Sequence, residues 1–140
     1  MLLLLLAGCG ASDGELMRSD GTAEPFRFAD YEGRHLLINY WAEWCAPCRH
    51  EIPELNELDQ DPALAVLGVN FDQVSGVELK DLLKTMNIEF STLLADPAAR
   101  YGEKIPAALP TTFVIAPDGN LKSVLVGPQT AATLRTAIAE

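Results

Sequence analysis

Cysteine and histidine are scarce in this chain, which has three cysteines and two histidines in 140 residues. A zinc site of the paired-ligand type needs a second pair beside Cys45 and Cys48. Only Cys9, His35 and His50 remain, and they have no paired spacing. The same shortage excludes a framework of several structural disulfides. Basic residues are outnumbered, 10 Lys and Arg against 20 Asp and Glu, giving a net charge of −10. That balance argues against nucleic acid or an anionic membrane surface as an electrostatic partner, and it reads as solubility. No apolar run approaches the roughly 20 residues of a membrane-spanning helix, and no internal repeat is visible. What is left is a single domain, long enough to bury a core without disulfide support. Its 49% hydrophobic and 21% charged residues are ordinary for a globular chain.

The chain is organised around Trp44-Cys45-Ala46-Pro47-Cys48 and the Arg49-His50-Glu51-Ile52-Pro53 that follows. A disulfide across two intervening residues removes little entropy from the unfolded chain, so it is a poor staple. It is well suited to redox chemistry. With Cys45 opening a helix, its sulfur lies near free backbone N–H groups and the positive end of the helix dipole, which stabilise a thiolate. Cys45 is thereby expected to be exposed as the attacking thiol, and Cys48, on the same helical face, to be buried and placed to resolve a mixed disulfide. The preceding Leu36-Leu37-Ile38-Asn39-Tyr40-Trp41 has strand length and composition, with one polar residue inside it. A strand running into a helix that opens on CxxC is the setting of a thioredoxin-type redox motif.

The segment from Asn39 to Arg49 resembles the active-site segment of the thioredoxin superfamily. Its continuation through Pro53, together with the distant Leu109-Pro110-Thr111-Thr112-Phe113, resembles the TlpA/ResA-like branch of extracytoplasmic thiol–disulfide oxidoreductases. The resemblance implies an α/β, thioredoxin-like fold, a central mixed sheet flanked by helices, from about Phe26 to the C-terminus. It implies a redox-active Cys45–Cys48 disulfide and a cis Pro110 beside it. The Leu109 backbone would present itself to a substrate chain bound as an added strand, and Trp44 would wall the site. Cytoplasmic thioredoxins carry a buried acid six residues before the first cysteine. Asn39 stands there, so Glu51, three residues after Cys48, becomes the candidate proton acceptor, as at the same spacing in ResA-like proteins. His50, Glu43 and Arg49 read as solvated surface groups.

The other elements follow from local pattern. Phe26-Arg27-Phe28 alternates as a short edge strand. The helix from Cys45 to about Leu58 contains Pro53, with Ile52, Leu55 and Leu58 on its core face. The near-continuous apolar run Ala63–Asn70 suits a central parallel strand. Ser75-Gly76-Val77-Glu78 has the form of a capping box opening a second helix. Phe90 to Leu94 is extended, and Asp96–Tyr101 is a short helix stopped by Gly102. Pro117-Asp118-Gly119-Asn120 turns between strands at Thr111–Ile115 and Leu121–Val126. Thr130 to Ala139 is an amphipathic closing helix.

The N-terminus divides into an apolar remnant over 1–8, a Gly-, Ser-, Asp- and Thr-rich tether over 9–24, and the domain over 25–140. Leu6-Ala7-Gly8-Cys9 resembles a bacterial lipobox, which implies lipid on Cys9 and a periplasmic, membrane-anchored protein. The basic residues that normally precede such a signal are missing, so either the start lies upstream or the signal is unusual.

The expected activity is therefore reduction of protein disulfides outside the cytoplasm, Cys45 attacking and Cys48 resolving, with no cofactor and no metal. Its partners are cysteine-containing proteins and a membrane or soluble electron donor, and the protein is a monomer. Two alternatives share the fold. A peroxidase needs Pro-x-x-x-Thr/Ser-x-x-Cys, but Ile38 and Ala42 occupy the required positions. A copper-assembly chaperone of this fold uses Cys-x-x-x-Cys and a distant histidine, but here the spacing is one residue short and no histidine follows His50.

Overall fold

The computed structural model describes residues 10–140. In chain order these form β1 (Gly14–Met17), β2 (Ala23–Phe26), a 3-10 turn (Phe28–Tyr31) and β3 (His35–Trp41). Then come α1 (Ala46–Asp59), β4 (Leu64–Asn70), α2 (Gly76–Thr85), β5 (Ser91–Leu93) and a second 3-10 turn (Ala98–Tyr101). β6 (Thr111–Ile115), β7 (Leu121–Val126) and α3 (Ala131–Ala139) complete the described residues. The seven strands make one sheet in the order β2-β1-β5-β4-β3-β6-β7. β3 lies near its centre, parallel to β4 and antiparallel to β6. Its apolar run, interrupted inside the strand only by Asn39, suits a strand covered on both faces.

Alternation along the central strands sends side chains to two cores. Leu37, Val66 and Val114 pack with Ile52, Leu55 and Leu58 of α1, Leu79 and Leu83 of α2, and Leu134 of α3. All three α-helices of the described residues thus share one face. The other face carries Leu36, Ile38, Tyr40, Val69 and Phe113, covered by Phe26, Phe28, Tyr31 and Tyr101 from the hairpin and the two 3-10 turns. Each fully buried leucine or isoleucine contributes about 1.5–3 kcal/mol.

The expected tether over 9–24 is overturned for most of its length. From Gly14 the chain pairs as a hairpin, and β1 continues onto β5, with Leu16 opposite Leu93 and Met17 opposite Thr92. Both side chains are buried. The turn closes where Asp20 Oδ1 accepts the Thr22 N–H at 2.8 Å, beside Gly21 at φ +87°. Two apolar residues in a polar stretch are enough to bury a strand that lies inside a sheet. The short strand expected over Phe26–Phe28 stops at Phe26, because Phe28 opens the 3-10 turn. The expected remnant over 1–8 and the lipid site at Cys9 lie outside the described residues.

The helix starts are as local chemistry dictates, with one substitution of parts. Pro47 sits in the first turn of α1, where its missing N–H costs nothing. Ser75 is the N-cap of α2 but makes no capping bond. Asn70 Oδ1 instead accepts the Val74 N–H at 3.0 Å just before it. At α3 a full capping box forms between Thr130 and Thr133.

Gly68 of β4 faces the helical layer beneath Trp41. A Cβ there would lie 2.7 Å from Trp41 Nε1, 2.9 Å from Thr92 Oγ1 and 3.0 Å from Phe90 Cε2. All three belong to buried side chains. Gly68→Ala is therefore expected to destabilise the protein by about 1–3 kcal/mol through overpacking. Urea unfolding should show a lower midpoint at an unchanged slope. An unchanged midpoint would mean that Trp41 and Phe90 yield without cost.

Candidate active site

β3 delivers the chain into the site. It ends at Trp41, and Cys45 follows as the N-cap of α1, in extended conformation at φ −90° and ψ 98°. Cys45 and Cys48 are joined in a disulfide with Cα atoms 5.3 Å apart. Cys45 Sγ accepts the Cys48 N–H at 3.2 Å, so one of the free N–H groups of the helix opening points at the sulfur. Cys48 is buried at 1% exposure, as expected. Cys45 was expected to be exposed. In the disulfide form it is only 4% exposed, because it packs in the same cluster as Trp41, Ala42 and Ile52.

The Leu109–Pro110 bond is cis. β6 begins with Thr111 opposite Tyr40, which sets Pro110 beside the end of β3 that leads to Cys45. Pro110 O accepts the Gly127 N–H at 2.8 Å, and Thr111 Oγ1 donates to Ala108 O at 2.7 Å. Leu109 is half-buried against the cluster that contains both cysteines.

Trp44 is 65% exposed, but it is held on two sides. Its indole N–H donates to Asp72 Oδ2 at 2.8 Å, and its ring meets Phe71 edge to face at 6.2 Å between centroids. Trp41 is fully buried in the cluster that holds both cysteines. Arg49 is not a free surface charge. Its Nε and Nη2 donate to the Glu43 carbonyl at 2.9 and 2.6 Å, clipping the loop before Cys45 onto the first turn of α1.

Glu51 is at 2% exposure. Asn39 Nδ2 donates to its Oε1 at 2.7 Å, and the Gln129 N–H donates to Oε2 at 2.9 Å. Asn39 Nδ2 also donates to Thr112 Oγ1 at 3.0 Å, across the pair that β3 and β6 form at these two residues. Burial pushes the Glu51 carboxyl up to about 7, while hydrogen bonds from Gln129, Asn39 and Thr112 pull it down. One turn on, Glu54 Oε2 accepts the Ala131 N–H at 2.6 Å at the start of α3. His50 is on the surface. Among the described residues no group of three or more His, Cys, Asp or Glu side chains could hold a metal ion, and no helix is long and apolar enough to cross a membrane.

Comparison with known proteins decides the family. The AhpC/TSA family model matches residues 7–124. This chain belongs to the AhpC/TSA family. It is 38% identical over 116 residues to the thiol:disulfide interchange protein HelX of Rhodobacter capsulatus, covering 79% of this chain and 62% of HelX. It is 27% identical over 124 residues to the thiol-disulfide oxidoreductase ResA of Geobacillus thermodenitrificans, covering 86% of this chain and 71% of ResA. The fold matches the solved structure of a thiol:disulfide interchange protein, a thioredoxin family protein, from Chlorobium tepidum. There the TM-score is 0.71, the identity 27%, and 92% of each chain is covered. The chain spans less than two thirds of the length of HelX.

In this AhpC/TSA family member the fold brings the sequence-derived residues Trp44, Cys45, Cys48, Leu109 and Pro110 to one end of β3 and β6, with Glu51 one helical turn beyond Cys48. Asp72, Phe71, Thr112 and the Gln129 N–H are the parts that sequence reasoning missed. In the sequence Asn39 marks only the place of a missing acid. The one signal for its role was a polar residue inside an otherwise apolar strand.

Proposed function

We propose that this chain is an extracytoplasmic thiol–disulfide oxidoreductase that reduces disulfides in cysteine-containing proteins. The observation that carries this reading is the Cys45–Cys48 disulfide at the opening of α1, flanked by the cis Leu109–Pro110 bond and with buried Glu51 on the following turn. In the reduced protein the Cys45 thiolate, stabilised by the helix opening, attacks one sulfur of a substrate disulfide. A mixed disulfide forms, and the other substrate sulfur leaves as a thiolate that takes a proton from water. The Cys48 thiol then gives its proton to the Glu51 carboxylate, directly or through one water. The Cys48 thiolate attacks Cys45 Sγ. The second substrate sulfur leaves and is protonated, and the protein is left with the Cys45–Cys48 disulfide. Two electrons have passed to the substrate, and a membrane or soluble dithiol donor restores the pair. Trp44, fixed by Asp72 and Phe71, walls the site, and the Leu109 backbone offers the edge on which a substrate strand docks. Lipid on Cys9 would tether the domain to the membrane, a reading that rests on Leu6-Ala7-Gly8-Cys9 alone.

The direction of electron flow is tested by the reduction potential of the pair against a dithiothreitol series. A value near the thioredoxin end of the scale, about −270 mV, is expected for a reductant. A value near the DsbA end, about −120 mV, would make the protein an oxidant.

A further inference from the structure

Glu51 is a buried carboxylate without a cation. Three elements pack groups against it. β3 supplies Asn39, β6 supplies Thr112, and the segment between β7 and α3 supplies the Gln129 N–H. None of these titrates. The titratable groups one turn away on its own helix are Cys48 and Glu54, and the Glu54 carboxylate is occupied by the Ala131 N–H. No salt bridge of the described residues includes Glu51. Its charge is therefore stabilised by neutral donors alone, and the side chain among them with two N–H groups to give is Asn39.

We infer that Asn39 is the positioning residue for Glu51: its amide, anchored on Thr112, orients the carboxylate and favours its charged form. This rests on the reading of Glu51 as the proton acceptor for Cys48. The geometry is specific. Both Nδ2 contacts go to oxygens, Glu51 Oε1 at 2.7 Å and Thr112 Oγ1 at 3.0 Å. An aspartate at this place would set a second carboxyl within hydrogen-bond distance of the first, and like charges so close cannot both ionise. An alanine would remove a donor and leave the remaining charge less supported. Asn39 thus lets the acid sit on α1 while β3 supplies only its support.

The test is the titration of the Glu51 carboxyl in the oxidised protein, followed by carbon-13 NMR of labelled glutamate or by the infrared carboxyl band. In that form neither cysteine carries a proton and no substrate is needed. Asn39→Ala is expected to move the Glu51 midpoint upward by about one pH unit. Asn39→Asp, closer in shape, is expected to give two coupled steps with the upper one above the wild-type midpoint. It serves as the informative variant if Asn39→Ala does not fold. In the reduced protein the pH at which mixed-disulfide resolution switches on should follow the same shift. In a Glu51→Gln background, Asn39→Ala should leave that pH dependence unmoved. A Glu51 midpoint unchanged in both Asn39 variants would overturn the assignment, as would a shift in resolution pH that persists without Glu51. Failure of the oxidoreductase reading itself would appear separately, as absence of disulfide reduction by the wild-type protein.

Discussion

Cys45→Ser brings insulin-disulfide reduction down to the uncatalysed rate, a loss of about 10³-fold or more. The reason is chemical. A serine hydroxyl does not ionise near neutral pH, and the nucleophile of disulfide exchange is the ionised sulfur. The fold should survive. Position 45 is the N-cap of α1, where serine is among the favoured residues and its oxygen can take the Cys48 N–H now pointing at sulfur. Losing a cross-link that closes so short a loop costs only about 2 kcal/mol in the chain-entropy picture. A variant that is folded by circular dichroism but inactive separates chemistry from stability. Retained turnover would remove Cys45 from the attacking role.

Glu51→Gln has the second large effect, and it is read in pH. The folded carboxyl holds its proton up to about pH 7, against an ordinary value of 4.5. Between those limits the folded state binds more protons than the unfolded chain, so stability falls as pH rises through the window. It is flat above it. For this side chain, only 2% exposed, the shift corresponds to about 3 kcal/mol. The other titrating groups are common to both proteins and cancel in the comparison. Between pH 5 and 8 the wild-type oxidised protein should therefore lose about 2–3 kcal/mol more than Glu51→Gln. The variant also carries a cost independent of pH, since a glutamine amide turns a donor toward an environment of donors. Resolution of the mixed disulfide should slow roughly 10²-fold and lose its dependence on pH near neutrality. Equal pH slopes for the two proteins in urea unfolding would show that Glu51 is charged in the folded state throughout.

The parts of this protein that were legible in its sequence are those set by neighbours along the chain. Leu36–Trp41 reads as a buried strand because both of its faces are apolar apart from Asn39. Cys45 to Leu58 reads as a helix because Pro47 suits its first turn and Ile52, Leu55 and Leu58 recur on one face. Leu109-Pro110-Thr111 was legible through resemblance, since nothing in the local chemistry demands a cis bond. What was hidden depends on contacts distant in sequence. The β1–β2 hairpin looks like a tether by composition, and only docking on β5 makes Leu16 and Met17 a buried pair. Glu51 could pass for a surface glutamate until β6 and the segment before α3 close over it. Asp72 reaches Trp44 only because the chain turns back after β4, 28 residues on. The small exposure of Cys45 likewise follows from packing, because the opening of α1 sinks into the cluster around Trp41.

The most direct measurement is mass spectrometry of Cys48→Ser after mixing the reduced variant with a peptide disulfide. A stable adduct of one peptide half, linked to Cys45 and released by dithiothreitol, is the expected result, because nothing remains to resolve it. Multiple turnovers by this variant with no trapped adduct would contradict the two-cysteine mechanism.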